Sequence, residues 1–117
     1  MEKAQPEVEE EFHRVVNMAP AELERWLKTE PSREVGWADG RPKAQAGGPE
    51  SVGHHSGRRI VEILRTRKAD LDDDDRAHMR KVVGYVHRHL AQRPAGDVSD
   101  TRWRYSLMNW GHDPLKD

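Results

Sequence analysis

With 117 residues, 34% hydrophobic and 35% charged, the chain has material for one modest core and for helices with wide polar faces. Cysteine is absent, which excludes disulfides, thiolate catalysis and cysteine metal sites. The net charge of −1 and isoelectric point near 6.7 argue against a strongly basic nucleic-acid binder.

Within residues 7–16, Val8, Phe12, Val15 and Val16 recur at spacings of four and three, one face of a helix. Asn17-Met18-Ala19-Pro20 breaks it, and Pro20 suits the first position of a second helix, where its missing N–H costs nothing. Leu23, Trp26 and Leu27 form that helix's buried stripe, which ends near Thr29. Residues 7–29 therefore read as a helical hairpin.

Residues 30–53 change character. Pro31, Pro42 and Pro49 join Gly36, Gly40, Gly47, Gly48 and Gly53, without apolar periodicity. The expectation is a long flexible loop, pinned at its start by Val35 and Trp37. A third helix is expected from near Ser56, with Ile60, Ile63 and Leu64 on one face. The fourth, about 73–92, carries the stripe Met79, Val82, Val83, Val86 and Leu90. Asp72 is its expected N-cap, and Asp73 to Asp75 lie where the helix dipole favours carboxylates. Arg93-Pro94-Ala95-Gly96 stops it. The last helix, about 99–110, is capped by Ser99 or Asp97 and places Trp103, Leu107 and Trp110 on one face, Tyr105 and Met108 on another. It is either sandwiched between elements or offers a self-association surface. The whole is expected to be a single all-α domain over 1–117: a bundle of four to five helices, with a long flexible loop between the second and third and a three-helix part over 54–111.

No apolar run approaches the roughly 18 residues of a membrane span, and the N-terminus lacks a secretory signal's apolar stretch. A cytoplasmic protein with no membrane partner is the expectation.

Three stretches carry a resemblance: "SVGHHSGRRIVEILR" (51–65), "HMRKVVGYVHRHLAQRP" (78–94) and "DTRWRYSLMNWGHDPLK" (100–116). With "VNMAPAELERWLKTE" (16–30), they resemble an uncharacterised family of small bacterial proteins with fungal relatives, a domain of unknown function. Members are sometimes labelled DNA-binding, and the resemblance implies no catalytic or ligand residues. One departure is His55, where the family tends to carry an acidic residue.

Charge is segregated along the chain. Residues 1–50 hold 7 Lys and Arg against 11 Asp and Glu, a balance of −4, whereas residues 51–117 hold 13 against 10, a balance of +3. The second part contains a candidate basic face. On the third helix, Arg58 and Arg65 fall within about 20° of one another, opposite Ile60 and Leu64, with Arg59 beside them. They suit successive phosphates, or equally a solvated face in which Glu62 pairs Arg58 and Arg65. On the fourth helix, Lys81 and Arg88 flank a lane of small residues, Ala77, Gly84 and Ala91, with Arg76, Arg80 and His87 beyond it. Such a lane admits a nucleic-acid backbone or another helix.

Metal chemistry has little support. His87 and His89 point about 200° apart, and His78 and His89 lie about 16 Å apart along one helix, too far for one ion. Ser51 and Ser56 are merely adjacent to His54 and His55, with no third partner for nucleophilic catalysis. The expected function is non-catalytic and cofactor-free: an intracellular nucleic-acid-associated protein gripping phosphates through Arg58, Arg59, Arg65, Arg76, Arg80, Lys81 and Arg88. The alternative is a homodimeric or protein-interaction module with no nucleic-acid role.

Overall fold

The computed structural model describes residues 5–35, 37–38, 41–42 and 52–116. The elements are α1 (Gln5–Val15), α2 (Pro20–Leu27), α3 (Glu30–Glu34), the two-residue strands β1 (Trp37–Ala38) and β2 (Arg41–Pro42), α4 (Val52–Leu64), a 3₁₀ turn (Lys68–Asp70), α5 (Asp73–Leu90) and α6 (Arg102–Asn109).

Local signals explain most boundaries. Pro20 opens α2, and the Glu22 carboxylate accepts from the Ala19 N–H at 3.1 Å. Asp72 caps α5: its carboxylate accepts from the Asp75 N–H at 2.8 Å, and Asp75 accepts from the Asp72 N–H at 3.1 Å. Thr101, rather than Ser99 or Asp97, caps α6, accepting from the Arg104 N–H. Asp97 instead accepts from the Ser99 N–H, closing the turn that precedes α6.

The expected loop over 30–53 needs revision at both ends. Thr29 accepts from the Ser32 N–H and, with Pro31 in the first turn, starts the short α3. Val35, 3% exposed, is buried where α3 ends, and Trp37–Ala38 pairs antiparallel with Arg41–Pro42. At the other end α4 begins at Val52, so Gly53, His54 and His55 are helical rather than a prelude to Ser56. The rest of the expected flexible loop lies outside the described residues.

The architecture is all-α in substance. α1 packs on α5 and α2 on α4, so the first two helices clamp the later ones instead of chiefly closing on each other. α6 crosses α2, α3, α4 and α5, and is therefore enclosed rather than offered as a self-association face. Phe12, Leu23, Ile60, Met79, Val82, Val86 and Leu107 are fully buried where these helices meet. Burying such side chains contributes about 1.5–3 kcal/mol each, the main force holding the elements together.

Two polar devices fix the arrangement. Buried Asn109 accepts from Trp26 Nε1 at 2.8 Å and Ser32 Oγ at 2.5 Å, and donates to the Ser32 carbonyl at 3.0 Å. It joins α2, α3 and α6. Asn17 exchanges hydrogen bonds with the backbone of Asp113, and His112 Nδ1 meets the Val15 carbonyl at 2.6 Å. Arg104 grips Asp113 bidentately at 3.1 and 3.0 Å. Burial pushes the Asp113 carboxyl up, but the Arg104 hydrogen bonds and the Leu115 N–H outweigh it, and its pKa falls below the usual value. No described helix is long and apolar enough to cross a membrane.

Candidate functional site

The seven predicted cations separate into three environments. Arg59 reaches from α4 to Asp75 in the first turn of α5, at 2.8 Å, with Glu62 at 3.9 Å. Arg65 crosses to α2 and takes Glu24 with both nitrogens, at 3.1 and 3.3 Å. The expected pairing of Arg65 with Glu62 is replaced by this inter-helix pair, because α2 lies against α4 and brings Glu24 within reach. Arg76 lies between Glu9 of α1 at 4.0 Å and Asp73 at 3.6 Å. Arg58 lines a groove between α2 and α4, away from the α5 cations.

Arg80, Lys81 and Arg88 behave differently. All three are exposed on α5, and none is paired with a carboxylate among the described residues. Ala77 and Ala91 are exposed beside them and Gly84 half-exposed, so the lane of small residues is left open by the fold. The Arg88 guanidinium folds back over Gly84: a Cβ placed there would meet its Nη1 at 3.1 Å and no backbone. His87, on the α1 side, meets Glu11 at 3.5 Å.

Long arginine side chains lean across to the carboxylates that neighbouring helices present, Arg59 to Asp75 and Arg65 to Glu24. Arg59 and Lys81 both act on the His78 imidazole, whose pKa burial, above all, lowers to about 4.

His78 opens a feature that reading along the chain did not find. Its ring stacks on Trp110 at 6.3 Å; Trp110 stacks on Tyr85 at 4.2 Å; Tyr85 stacks on His89 at 5.2 Å; and His89 stacks on Trp103 at 6.1 Å. All four interplanar angles are 16° or less. Arg93 covers the far end, 5.4 Å from the Trp103 ring centre. Burial lowers the His89 pKa and raises that of Tyr85. The column welds α6 to α5, and burial disfavours the charged form of both its histidines. The signal was the spacing: His78, Tyr85 and His89 stand seven and four apart on α5, and Trp103 of α6 stands seven before Trp110 at the end of that helix.

Ser56 meets His78 Nε2 at 2.9 Å, not His54 or His55. At 1% exposure its hydroxyl ties α4 to α5 inside the protein and is closed to a substrate. His54 Nε2–H donates to the Leu27 carbonyl at 2.7 Å, tying α4 to α2. Among the described residues no three His, Asp or Glu side chains gather into a metal-binding group.

No curated protein and no solved structure matches the chain. A family model described as "Protein of unknown function (DUF3140)" matches residues 11–108, from α1 into the last turn of α6. That span takes in α2 to α5 and most of α1 and α6, with the exposed α5 face, and the chain is accordingly a member of the DUF3140 family.

Proposed function

We propose that this protein is a non-catalytic nucleic-acid-associated domain that lays a phosphate backbone along the exposed face of α5. The observation that carries the reading is the contrast between cations. Arg59, Arg65 and Arg76 are engaged by carboxylates, whereas Arg80, Lys81 and Arg88 stand exposed along a lane of small residues that lets a backbone approach. Such contacts position without reading bases, so affinity is salt-dependent and nearly independent of sequence. The DNA-binding label sometimes given to the resembled bacterial family agrees with this role, and the absence of cysteine with a cytoplasmic setting.

Three phosphate contacts give a log–log salt slope near −2.7, a loss of roughly 40-fold between 50 and 200 mM salt. Fluorescence anisotropy with duplex and single-stranded DNA at those two concentrations measures it. Lys81→Glu with Arg88→Glu is expected to abolish binding. No binding at about 50 mM salt, or unchanged binding by the double variant, overturns the proposal.

The open lane favours one second reading, a homodimer packed along α5. Sedimentation equilibrium distinguishes it: a dimer that Ala77→Glu dissolves, without DNA affinity, favours this alternative.

A further inference from the structure

A second groove lies between α1 and the connection from α4 to α5, with a volume of about 460 Å³, within the range of small-molecule sites. Ile63, Leu64 and Leu71 give it apolar walls, and Glu9 and Glu10 of α1 bring carboxylates to it. These two acids differ. Glu10 is exposed, whereas Glu9 is only 6% exposed, where a charged side chain is normally held by hydrogen bonds.

Glu9 makes no hydrogen bond among the described residues. Arg76 of α5 faces its Oε2 through Nε at 4.0 Å, beyond hydrogen-bond distance, and that Nε is itself buried without a partner. The other described cations at the groove do not pair with Glu9 either: Arg14 turns to Glu11, and His13 and Lys68 are exposed at the rim. The groove is held in shape independently of any ligand. α1 packs along α5, Ile63 and Leu71 belong to the core, and Arg67 Nε donates to Asp70 at 3.1 Å across the turn that leads to Leu71. A buried carboxylate short of donors, set beside apolar walls, is matched by a group that brings N–H donors and a positive charge on an apolar body. An ammonium supplies three such donors around a compact charge.

The geometry points to a binding site for a primary organic ammonium: its –NH₃⁺ donates to the Glu9 carboxylate, and its apolar substituent lies on Ile63, Leu64 and Leu71. This site takes a cation whereas the α5 face takes an anion, so neither depends on the other.

The test is a titration of the full chain followed by ¹H–¹⁵N NMR, with phenethylammonium, ammonium chloride and 2-phenylethanol as probes. Phenethylammonium is expected to give saturable shifts at amides of residues 9–13, 63–66 and 71. Ammonium ion and 2-phenylethanol each carry half of the ligand and are expected to bind at least about tenfold more weakly. Glu9→Gln, which keeps the shape and removes the charge, is expected to weaken phenethylammonium about tenfold. Leu64→Lys, at a half-buried wall position, is expected to abolish its binding, and Lys68→Gln, which removes a rim cation, to tighten it about twofold. Asp74→Asn, an exposed carboxylate of α5, leaves the affinity unchanged. Absence of saturation up to about 10 mM overturns the site, as does unaltered affinity in Glu9→Gln or in Leu64→Lys. Equal binding of 2-phenylethanol overturns the role of the carboxylate, and weakening by Lys68→Gln overturns the assignment of a cation. A response that follows Asp74→Asn instead assigns the amine to the acidic first turn of α5 and overturns the groove, leaving the nucleic-acid reading intact.

Discussion

Two helical glycines differ in what surrounds them, and replacing each by alanine should move stability in opposite directions. At Gly57 of α4 an added Cβ would stand 2.5 Å from the Asn109 carbonyl oxygen and 2.7 Å from Leu27 Cδ2. A carbon and a carbonyl oxygen normally approach no closer than about 3.3 Å. The last turn of α6 would have to retreat by roughly 0.8 Å, loosening the residue that accepts from Trp26 and Ser32. Overpacking of this kind costs about 1–3 kcal/mol and disturbed buried hydrogen bonds about 1 more, against about 1 kcal/mol regained from helix propensity. Gly57→Ala should therefore lose about 2 kcal/mol, or some 8 °C in Tm at about 4 °C per kcal/mol. At Gly84 the same Cβ meets only the end of the Arg88 side chain, which can swing away. Gly84→Ala should gain about 0.5–1 kcal/mol, or about 2–4 °C. Urea denaturation followed by circular dichroism, with unchanged m-values, measures both. A Gly57→Ala protein within about 0.5 kcal/mol of the parent would refute the close α4–α6 approach, and a Gly84→Ala protein destabilised by about 2 kcal/mol would refute the open surroundings of Gly84.

Other outcomes concern the buried groups. His78, at about 4, binds its proton far less readily than an unfolded histidine at about 6.5, so the unfolded state takes up protons first. Stability should fall as pH drops from about 6.5 to about 4, by roughly 1–2 kcal/mol once solvent screening of a half-exposed ring is allowed for. His78→Gln should flatten that part of a Tm-against-pH curve, and an unaltered slope would contradict it. Asn109→Leu strands the Trp26 indole N–H and the Ser32 carbonyl, and should cost about 2–4 kcal/mol in chemical denaturation. Thr101→Ala should cost about 1 kcal/mol and Ser99→Ala less than half of that, a comparison that thermal melts resolve and that identifies the α6 cap.

The helices that bury one continuous stripe were legible in the chain. Met79, Val82 and Val86 repeat at helical spacing and all three are fully buried, and Asp72 announces the start of α5. Glycine misled the reading of α4. Gly53, grouped with the glycines of the loop, signals a break when only neighbours in sequence are considered, yet it marks a place where Trp110 comes close. α3 was hidden because Pro31 suggests a loop unless Thr29 is recognised as its cap. The candidate site was legible only in part. That α5 presents Lys81 and Arg88 opposite its apolar stripe follows from period alone. Which arginines are neutralised does not: Glu24 and Arg65 lie 41 residues apart, and their meeting depends on α2 crossing α4. The aromatic column needed the same tertiary information, since neither α5 nor α6 contains it alone.

The reciprocal bonds between Asn17 and Asp113 span 96 residues, and this separation sets a timetable for synthesis. At about 5–20 residues per second a ribosome delivers the second partner roughly 5–20 s after the first. During that interval the seam at Val15 to Asn17 stays unzipped, although α1 can already dock on α5. A message truncated just before codon 109 would leave Trp26, Ser32 and Asn17 without their counterparts, and the cell's proteases would meet a polypeptide that never shuts.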